Sequence, residues 1–219
     1  MLKILTKRDR HDPAYEEMLR GRATVFRDRL NWNVEVVDGK EFDFYDRNEN
    51  PIYLISLDHT GKVVGSLRVL PTTGPTMLKS DFGFMFQEPV NRESPTVWEC
   101  TRFCVHIGSD NKILKSRNVA VQLLCGLCDL ALEFNIGAII GVYDLPMQAV
   151  YRRLGWSPSL LSVSWPQFGK ICYGVWDVTP TIRDRLRNQV RQFGLETLEF
   201  QSLHNNKSVR IYPKANCAR

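Results

Sequence analysis

The sequence predicts a single α/β domain in which helices cover both faces of a mixed β-sheet. The chain has 219 residues, of which 43% are hydrophobic and 11% aromatic, enough for one sizeable core. An apolar β-hairpin pattern occupies residues 52–57 and 63–70, on either side of a turn-forming D-H-T-G segment. A strand–helix–strand pattern follows over 97–107, 118–134 and 137–142, and such a unit is parallel and right-handed.

Helical spacing and turn residues predict the other elements. These are a strand at 2–5, a helix at 15–30, a helix at 145–154, a strand at 171–178 and a basic helix at about 180–191. Residues 31–50 are polar and turn-rich. No internal repeat or linker interrupts the pattern. We therefore expect one domain over residues 1–193 and a C-terminal extension of unknown role over 194–219.

The excess of positive charge lies at the C-terminal end. The chain has 29 Lys and Arg against 24 Asp and Glu, a net charge of +5, and residues 180–219 alone carry eight basic and three acidic side chains. This segment has no Gly-Arg repeat and no interleaved aromatic residues. The pattern therefore favours a solvated basic face or an acidic protein partner over nucleic acid. No apolar run approaches the roughly 20 residues that span a bilayer, and we expect a cytoplasmic protein without a membrane span or secretory signal.

Six cysteines are scattered through the chain, and Cys125 and Cys128 form a C-x-x-C pair. That pair falls inside an apolar helical stretch, whereas zinc-binding pairs normally lie on tight turns where both sulfurs converge. We therefore expect buried, reduced thiols and no metal site. The sequence also lacks the P-loop, the G-x-S-x-G serine-hydrolase motif and the H-E-x-x-H zinc motif.

The predicted order β-α-ββ-β-α-β-α-β is similar to that of the GCN5-related N-acetyltransferases, which implies a three-layer sandwich. The glycine-rich loop with which those enzymes hold the pyrophosphate of acetyl-CoA is absent, and residues 108–117 lie in its place. In an open sheet, a ligand tends to bind where neighbouring strands diverge. Here that rule points to the strands at 97–107 and 137–142.

Charged residues interrupt two strands that are otherwise apolar. Arg68 lies in the second hairpin strand, while Glu99 and Arg102 lie in the next strand along the chain. Because a buried charge must be paired, packing alone does not explain this pattern. We predict one partly buried network that joins these three residues to Asp43 or Asp46.

Alternation along the strand at 97–107 predicts which side chains share a face. Glu99 and Thr101 are expected on one face of the sheet. Trp98, Cys100 and Arg102 are expected on the other face.

Two further clusters fit more than one interpretation. Arg22 and Phe26 share a helix face, with Trp32 just beyond the helix, which fits either core aromatics beside a surface arginine or a binding site. Asp43 and Asp46 lie among aromatic residues, which fits either a solvated turn or a site for an amine or another cation.

Together, these clusters resemble one family, the acyl-homoserine-lactone synthases (LuxI-type autoinducer synthases). The resemblance covers about residues 1–180, and every element of the family pattern is present in order and at similar spacing. Each piece is weak alone, but the combination is specific. The residues that carry it are Arg22, Phe26, Trp32, Asp43, Asp46, Arg68, Met77, Leu78, Phe82, Glu99, Thr101, Arg102 and Phe103.

The resemblance implies a two-substrate acyl transfer. S-adenosylmethionine supplies the homoserine part as a substrate, so no cofactor is expected. An acyl thioester, on acyl carrier protein or in some members on coenzyme A, supplies the acyl part. The amine attacks the thioester, and the methionyl carboxylate then displaces methylthioadenosine from the γ-carbon and closes the lactone.

The resemblance, combined with the chemistry of each side chain, also implies residue roles. Glu99 is the candidate base for the substrate amine. The S-adenosylmethionine pocket is expected to contain Arg22, Phe26, Trp32 and Asp46. The residues expected to hold the N-terminal segment against the sheet are Asp43, Arg68 and Arg102. The acyl pocket is expected to contain Phe82, Thr101, Phe103 and Tyr143, and the expected contacts of an acidic carrier are Arg152 and Arg153.

Several alternatives stay open at this point. A general GCN5-type N-acyltransferase acting on another amine shares the predicted fold, and a non-catalytic binding protein is a further alternative. The strand around 137–144 lacks the threonine that often accompanies a 3-oxo acyl preference in the family, and Tyr143 crowds the pocket. We therefore expect a branched, aromatic or plain acyl group, with coenzyme A slightly favoured over acyl carrier protein as the donor.

Overall fold

The computed structural model of the protein describes residues 1–87, 92–106 and 112–195, and the side chains of all of these except 112–115. The predicted C-terminal extension lies outside the described residues from position 196 onward, as do Cys217 and part of the 108–117 segment. In chain order the strands are β1 (Leu2–Thr6), β2 (Val36–Val37), β3 (Lys40–Glu41), β4 (Ile52–Leu57), β5 (Val63–Pro71), β6 (Val97–Val105), β7 (Ala138–Asp144), β8 (Ser159–Val163) and β9 (Ile171–Asp177). The α-helices are α1 (Pro13–Ala23), α2 (Phe44–Asn48), α3 (Lys112–Glu133), α4 (Met147–Arg153) and α5 (Pro180–Gln192).

Seven of these strands form one mixed sheet in the order β1-β4-β5-β6-β7-β9-β8, and β2 and β3 form a separate short hairpin. Strands β6 and β7 are parallel, whereas every other neighbouring pair in the seven-stranded sheet is antiparallel. The predicted α/β class and mixed sheet are therefore confirmed.

The two faces of the sheet pack against different helices. Leu54 of β4 belongs to a core that includes Leu123 and Leu127 of α3, whereas its neighbour Tyr53 packs with Tyr15 and Met18 of α1. This alternation follows the two-residue period of a β-strand. Helix α3 also packs on α5. The sheet thus lies between α1 on one side and α3 with α5 on the other, as the three-layer prediction requires.

The first helix begins at a sequence-encoded cap and changes character before it ends. The Asp12 carboxylate accepts a hydrogen bond from the Ala14 N–H at 2.9 Å, and Pro13 occupies the first turn. The prediction of one regular helix over 15–30 is wrong in its last turns, because Thr24–Arg29 is π-helical. π-Bulges of this kind often mark functional sites.

A β-bulge in β6 overturns the predicted alternation along that strand. Ser66 of β5 pairs with Cys104, but Arg68 pairs with Thr101, so β6 carries one extra residue between these pairs. Arg102 lies in the bulge with a left-handed φ of 53°. Its side chain consequently points to the same side of the sheet as Thr101, and not to the side of Trp98 as alternation predicted.

Strands β6 and β7 separate after a short parallel contact. Only Val97–Glu99 pairs with Ala138–Ile140, although both strands continue beyond these residues. Gly141 immediately follows the last pair, and a Cβ atom there would lie 3.2 Å from the Cys100 carbonyl oxygen. The strands therefore diverge where the sequence predicted a ligand cleft.

Two regions contain structure that the sequence did not predict. The polar segment 31–50 holds the β2–β3 hairpin and α2, and an additional strand, β8, pairs with β9 at the edge of the sheet. None of the described helices is both long and apolar enough to cross a membrane.

Candidate active site

A cavity of about 1080 Å³ opens between the diverging strands β6 and β7. Most of the predicted site residues line it: Phe26, Trp32, Phe82, Glu99, Thr101, Arg102, Phe103, Tyr143 and Arg153. The others do not line it: Arg22, Asp43, Asp46, Arg68 and Arg152. The cavity therefore gathers the predicted base and the acyl-pocket residues, but only part of the predicted S-adenosylmethionine pocket.

Buried charges form a bonded network beside the cavity. Arg22 of α1 bonds to Glu41 (Nε–Oε2, 2.5 Å) and to both carboxylate oxygens of Asp46 (2.8 and 3.1 Å). Arg68 of β5 bonds to both oxygens of Asp43 (2.6 and 2.9 Å) and to Asp46 Oδ1 (2.9 Å). Each guanidinium therefore joins two carboxylates, using the paired donor geometry that suits arginine.

Arg102 closes the network into a ring. Its Nε lies 3.1 Å from Glu41 Oε1, and its Nη2 lies 2.9 Å from Asp43 Oδ2. Three cations and three anions thus alternate around a closed cycle, and each has two partners of opposite charge. We call these residues the ion ring: Arg22, Glu41, Asp43, Asp46, Arg68 and Arg102.

The spacing of the two aspartates has a local cause. Asp43 is the N-cap of α2 and accepts from the N–H groups of Tyr45 and Asp46, while the Asp46 carboxylate accepts from the Asp43 N–H at 2.9 Å. This reciprocal pattern is a capping box. It fixes both carboxylates at the start of α2, where they also face the arginines. Tyr53 donates a further hydrogen bond to Asp46 at 2.7 Å.

Burial makes the ion ring sensitive to the loss of any member. The Arg22 and Arg68 side chains are 1% and 0% exposed. Burial alone would raise the pKa of Asp46, but Arg22 and Arg68 outweigh it and hold that pKa well below its usual range. Removing one partner of such a buried pair leaves a charge uncompensated, which typically costs about 3–5 kcal/mol.

Glu99 is not in the ion ring, so that part of the predicted network is wrong. Its two oxygens accept hydrogen bonds from the backbone N–H groups of Met77 (2.9 Å) and Leu78 (2.6 Å), and its side chain lines the cavity. Burial raises the pKa of Glu99 to about 7, although the two N–H donors act in the opposite direction. A carboxyl group with this pKa can exchange a proton near neutral pH.

One end of the cavity carries a pair of stacked aromatic rings. The Phe26 and Trp32 rings lie 5.1 Å apart at 21°, and the backbone N–H of Trp32 donates to the backbone carbonyl oxygen of Phe26 at 2.8 Å. The Arg102 guanidinium lies 5.5 Å from the centre of the Phe26 ring. Trp32 is 45% exposed, so it offers a free aromatic face at the cavity mouth.

The opposite wall is an aromatic cluster on β6, β7, α4 and β9. Tyr151 packs against Phe103, Tyr143 and Trp176, with ring centres 5.0 to 6.4 Å apart. Tyr143 donates a hydrogen bond to Gln148 at 2.6 Å, which fixes the phenol. This wall supplies a large apolar surface of the kind that receives an acyl chain.

The family assignment follows from sequence similarity. A family model described as autoinducer synthase matches residues 6–176 of this chain. The chain belongs to the autoinducer synthase family. An acyl-homoserine-lactone synthase from Rhizobium etli is 52% identical over 200 residues, covering 88% of this chain and 93% of that one. A second acyl-homoserine-lactone synthase, from Agrobacterium fabrum, is 31% identical and covers 71% of this chain and 76% of its own length.

Solved structures of autoinducer synthases share the fold. The CoA-dependent acyl-homoserine lactone synthase MesI is 26% identical with a TM-score of 0.72, and the match covers 90% of this chain and 97% of MesI. The CoA-dependent acyl-homoserine lactone synthase BjaI, with MTA, matches with a TM-score of 0.76 at 20% identity over 94% and 97% of the two chains.

Sequence reasoning missed several residues of this autoinducer synthase site. Glu41 adjoins the Asp43–Asp46 cluster in the sequence but has no predicted role, yet it completes the ion ring. The sequence assigns no role to Tyr151 and Trp176, yet both line the cavity as part of the aromatic cluster. Asp81 also lines the cavity, and no motif singled it out. Residue spacing along the chain carries no signal for partners that are brought together only by the fold.

Arg152 and Arg153 lie at the end of α4, and both are exposed. Arg153 lines the cavity, whereas Arg152 does not. The two predicted carrier contacts therefore have different surroundings.

Proposed function

We propose that this autoinducer synthase makes an N-acyl-homoserine lactone from S-adenosylmethionine and an acyl thioester, and releases methylthioadenosine. The observation that carries the proposal is the placement of Glu99. This buried carboxyl group lies where β6 and β7 separate, on a cavity with stacked aromatic rings at one end and an aromatic acyl wall at the other. The family to which the chain belongs supports the same reaction.

The proposed mechanism begins with proton transfer to Glu99. The amine of S-adenosylmethionine must lose a proton before it attacks the thioester carbonyl, and a carboxylate with a pKa of about 7 can accept it at neutral pH. Beyond Glu99 and Ile140, β6 and β7 no longer pair with each other. Backbone N–H groups beside this gap are the proposed donors to the negative charge that develops on the thioester oxygen.

For the S-adenosylmethionine pocket we propose that Phe26 and Trp32 provide the contact surface. A sulfonium cation is attracted to an aromatic face, and the nucleoside base can stack on one. Arg22 and Asp46 were expected to touch the substrate, but both are fully engaged in the ion ring. We therefore assign them, with Asp43, Arg68 and Arg102, to holding α1 and α2 in place beside the cavity.

For the acyl donor we propose acyl-CoA with a branched, aromatic or plain acyl group. Strand β7 presents Tyr143 and no threonine for a 3-oxo group, and the Thr101 hydroxyl on β6 already accepts a hydrogen bond from Arg68 at 3.0 Å. The structurally similar MesI is a CoA-dependent synthase. Acyl carrier protein is the competing donor, and Arg152 and Arg153 would then be its proposed contacts.

An assay with purified protein tests the reaction. S-adenosylmethionine and a panel of acyl-CoA molecules should yield methylthioadenosine and a lactone detectable by mass spectrometry. Acylation of other amines without release of methylthioadenosine would instead indicate a general N-acyltransferase, and absence of any acyl transfer would indicate a binding protein.

Matched acyl-CoA and acyl-carrier substrates test the donor. With a carrier protein, the Arg152→Glu/Arg153→Glu variant should lose activity sharply, and wild-type kcat/KM should fall as salt screens the attraction. With acyl-CoA the salt dependence should be milder. A preference of tenfold or more for the carrier substrate, with steep salt dependence, would contradict the proposed donor but not the synthase reaction.

We place this reaction in the cytoplasm. The described cysteines are all free thiols, and four of the five are buried. Reduced thiols are typical of that compartment.

A further inference from the structure

Asp81 lines the cavity but has no role in the mechanism above. It lies in the π-helical segment Leu78–Phe82, the same segment whose first backbone N–H group donates to Glu99. The Asp81 side chain is exposed, whereas Glu99 is buried. One short segment thus presents a free carboxylate to the cavity and also fixes the candidate base.

The Asp81 carboxylate is oriented by a buried tyrosine. Tyr45 donates a hydrogen bond to Asp81 Oδ2 at 2.8 Å, and the Tyr45 side chain is 3% exposed. Arg68 of the ion ring lies over the Tyr45 ring at 5.3 Å, which fixes that ring in turn. Within the part of the chain that the structure describes, Asp81 Oδ1 has no hydrogen-bond partner. One oxygen is therefore anchored, and the other is available to a ligand.

Among the described residues Asp81 forms no ion pair, and its neighbour Lys79 pairs with Glu93. Arg102 lines the same cavity, but Glu41 and Asp43 already neutralise it. Glu99 is surrounded by the Met77 and Leu78 N–H groups, by Arg68 and by Asp81, and the Asp81 charge helps to raise its pKa. A cation that enters this end of the cavity is therefore attracted by both Asp81 and Glu99.

We propose that Asp81 binds the α-ammonium group of S-adenosylmethionine and so holds the substrate amine next to Glu99. This inference rests on the proposed synthase function. The ammonium group has three N–H donors, so one can bond to Asp81 Oδ1 while another points to Glu99. The sulfonium centre has no such donor and suits the Phe26–Trp32 rings better.

The proton transfer then balances simply. The ammonium N–H bond breaks and its electron pair stays on nitrogen, while the proton forms an O–H bond on Glu99. The products are a neutral amine, free to attack the thioester, and a neutral carboxylic acid. Asp81 keeps its charge throughout, so it binds and positions the amine and does not take the proton.

The first test measures KM for S-adenosylmethionine at saturating acyl thioester, through methylthioadenosine release. Asp81→Asn should raise this KM by roughly 10-fold to 100-fold, the usual weight of a hydrogen bond to a charged group. Asp81→Glu, which keeps the charge, should recover part of the loss. Asp144→Asn is the matched control, because Asp144 is an exposed carboxylate on the same cavity at the end of β7, and its removal should leave this KM within about twofold.

The second readout is the pH profile of kcat/KM. Removing a negative neighbour lowers the pKa of Glu99, so the acidic limb of Asp81→Asn should move below the wild-type position near pH 7. If Asp81 had only a structural role, the pH position of this acidic limb would not change. An unchanged KM together with an unchanged limb would overturn the inference.

Direct binding separates this inference from the proposed function. If the wild-type protein makes no lactone, the proposed function fails, and calorimetric titration with S-adenosylmethionine still tests Asp81. Weaker binding by the folded Asp81→Asn variant than by wild type and Asp144→Asn would support the inference. Equal affinities in all three proteins would contradict it.

Discussion

The regions on the two sides of the cavity are built from different chemistry, and Arg102 is the one member of the ion ring that lines the cavity itself. On the α1–α2 side, the ion ring joins six charged residues through directional bonds, and each member has two partners of opposite charge. On the opposite side, Tyr143, Tyr151 and Trp176 meet through ring contacts that are edge-to-face. The ion ring fixes the positions of α1 and α2 beside the cavity, and the aromatic wall mainly fills space.

This difference separates two kinds of sensitivity to substitution. In the ion ring, the loss of one side chain removes two charged contacts at once and leaves buried partners unpaired. In the aromatic wall, contacts are many and individually weak, so a change of shape can be absorbed by neighbouring rings. We infer that changes of acyl group are accommodated at the aromatic wall, while the ion ring keeps the geometry of the amine site constant.

The largest effect is expected at Glu99, whose buried side chain lines the cavity. Glu99→Gln should keep the fold but lower the acylation rate by about 10²–10⁴, the usual weight of a general base. Because the carboxylate form is required and its pKa is about 7, wild-type kcat/KM should fall as the pH drops below that value. Single-turnover kinetics over a full pH range checks the rate of the variant, and steady-state kcat/KM over the same range checks the pH dependence of the wild type. Near-native turnover by the folded Glu99→Gln variant would show that Glu99 is not the general base.

A second prediction concerns the ion ring itself. Asp46→Asn leaves Arg22 and Arg68 short of a partner, so the free energy of unfolding should fall by about 3–5 kcal/mol in urea titrations at pH 7. Asp28→Asn is the control, since the Arg27–Asp28 pair is exposed and such pairs contribute little.

The same pair of variants gives a pH test. The pKa of Asp46 is depressed in the folded protein, so its stabilisation is present above its unfolded pKa of about 4 and is lost as the pH falls further. The difference in unfolding free energy between wild type and Asp46→Asn should therefore narrow at low pH. A difference that is small at pH 7, or that does not change with pH, would show that the ring does not stabilise the fold through this carboxylate.

A smaller effect is expected for Trp32→Ala. Loss of one exposed aromatic face should weaken binding of S-adenosylmethionine and methylthioadenosine about tenfold, with the fold intact. Trp165→Ala is the matched control, because Trp165 is similarly exposed at 41% but does not line the cavity. Calorimetric titration of wild type, Trp32→Ala and Trp165→Ala with both ligands tests this prediction. Unchanged affinity in Trp32→Ala would exclude Trp32 from the S-adenosylmethionine pocket.

The smallest effect is expected on the aromatic wall. Tyr143→Phe removes the hydrogen bond to Gln148 but keeps the ring, so the stability loss should be about 1 kcal/mol. KM for S-adenosylmethionine should stay constant while the relative rates across an acyl-CoA panel change. A raised KM for S-adenosylmethionine with an unchanged acyl profile would contradict the assignment of Tyr143 to the acyl side.

Much of the fold could be predicted because its elements are encoded locally. The β4–β5 hairpin follows from alternation and a turn, and the β6–α3–β7 unit from apolar runs around a long amphipathic stretch. Strand β8 was missed because its residues are mostly exposed, so it lacks the apolar run of a buried strand.

The site was predicted as a set of residues but not as an arrangement. Arg68 and Arg102 were expected to be paired because they interrupt apolar strands, and they are. The predicted face of the sheet for the Arg102 side chain was wrong, because the β6 bulge contains no glycine or proline that would indicate a bulge in the sequence. The spacing of Asp43 and Asp46 is that of a capping box, but nothing local identifies Arg22 as a partner of Asp46, or Glu41 as a partner of Arg22 and Arg102.

The ion ring also has a consequence for the electric field inside the cavity. Its three positive and three negative charges sum to zero, and their alternation around a cycle cancels most of the dipole moment as well. The potential of such a multipole decays with distance much faster than that of a single ion. Apart from its effect on immediate neighbours such as Glu99, this cluster therefore contributes little to the potential in the cavity, and it neither repels a sulfonium cation nor attracts a competing anion. Long-range attraction is left to single charges on the cavity wall, among them Asp81, Arg117 and Arg153.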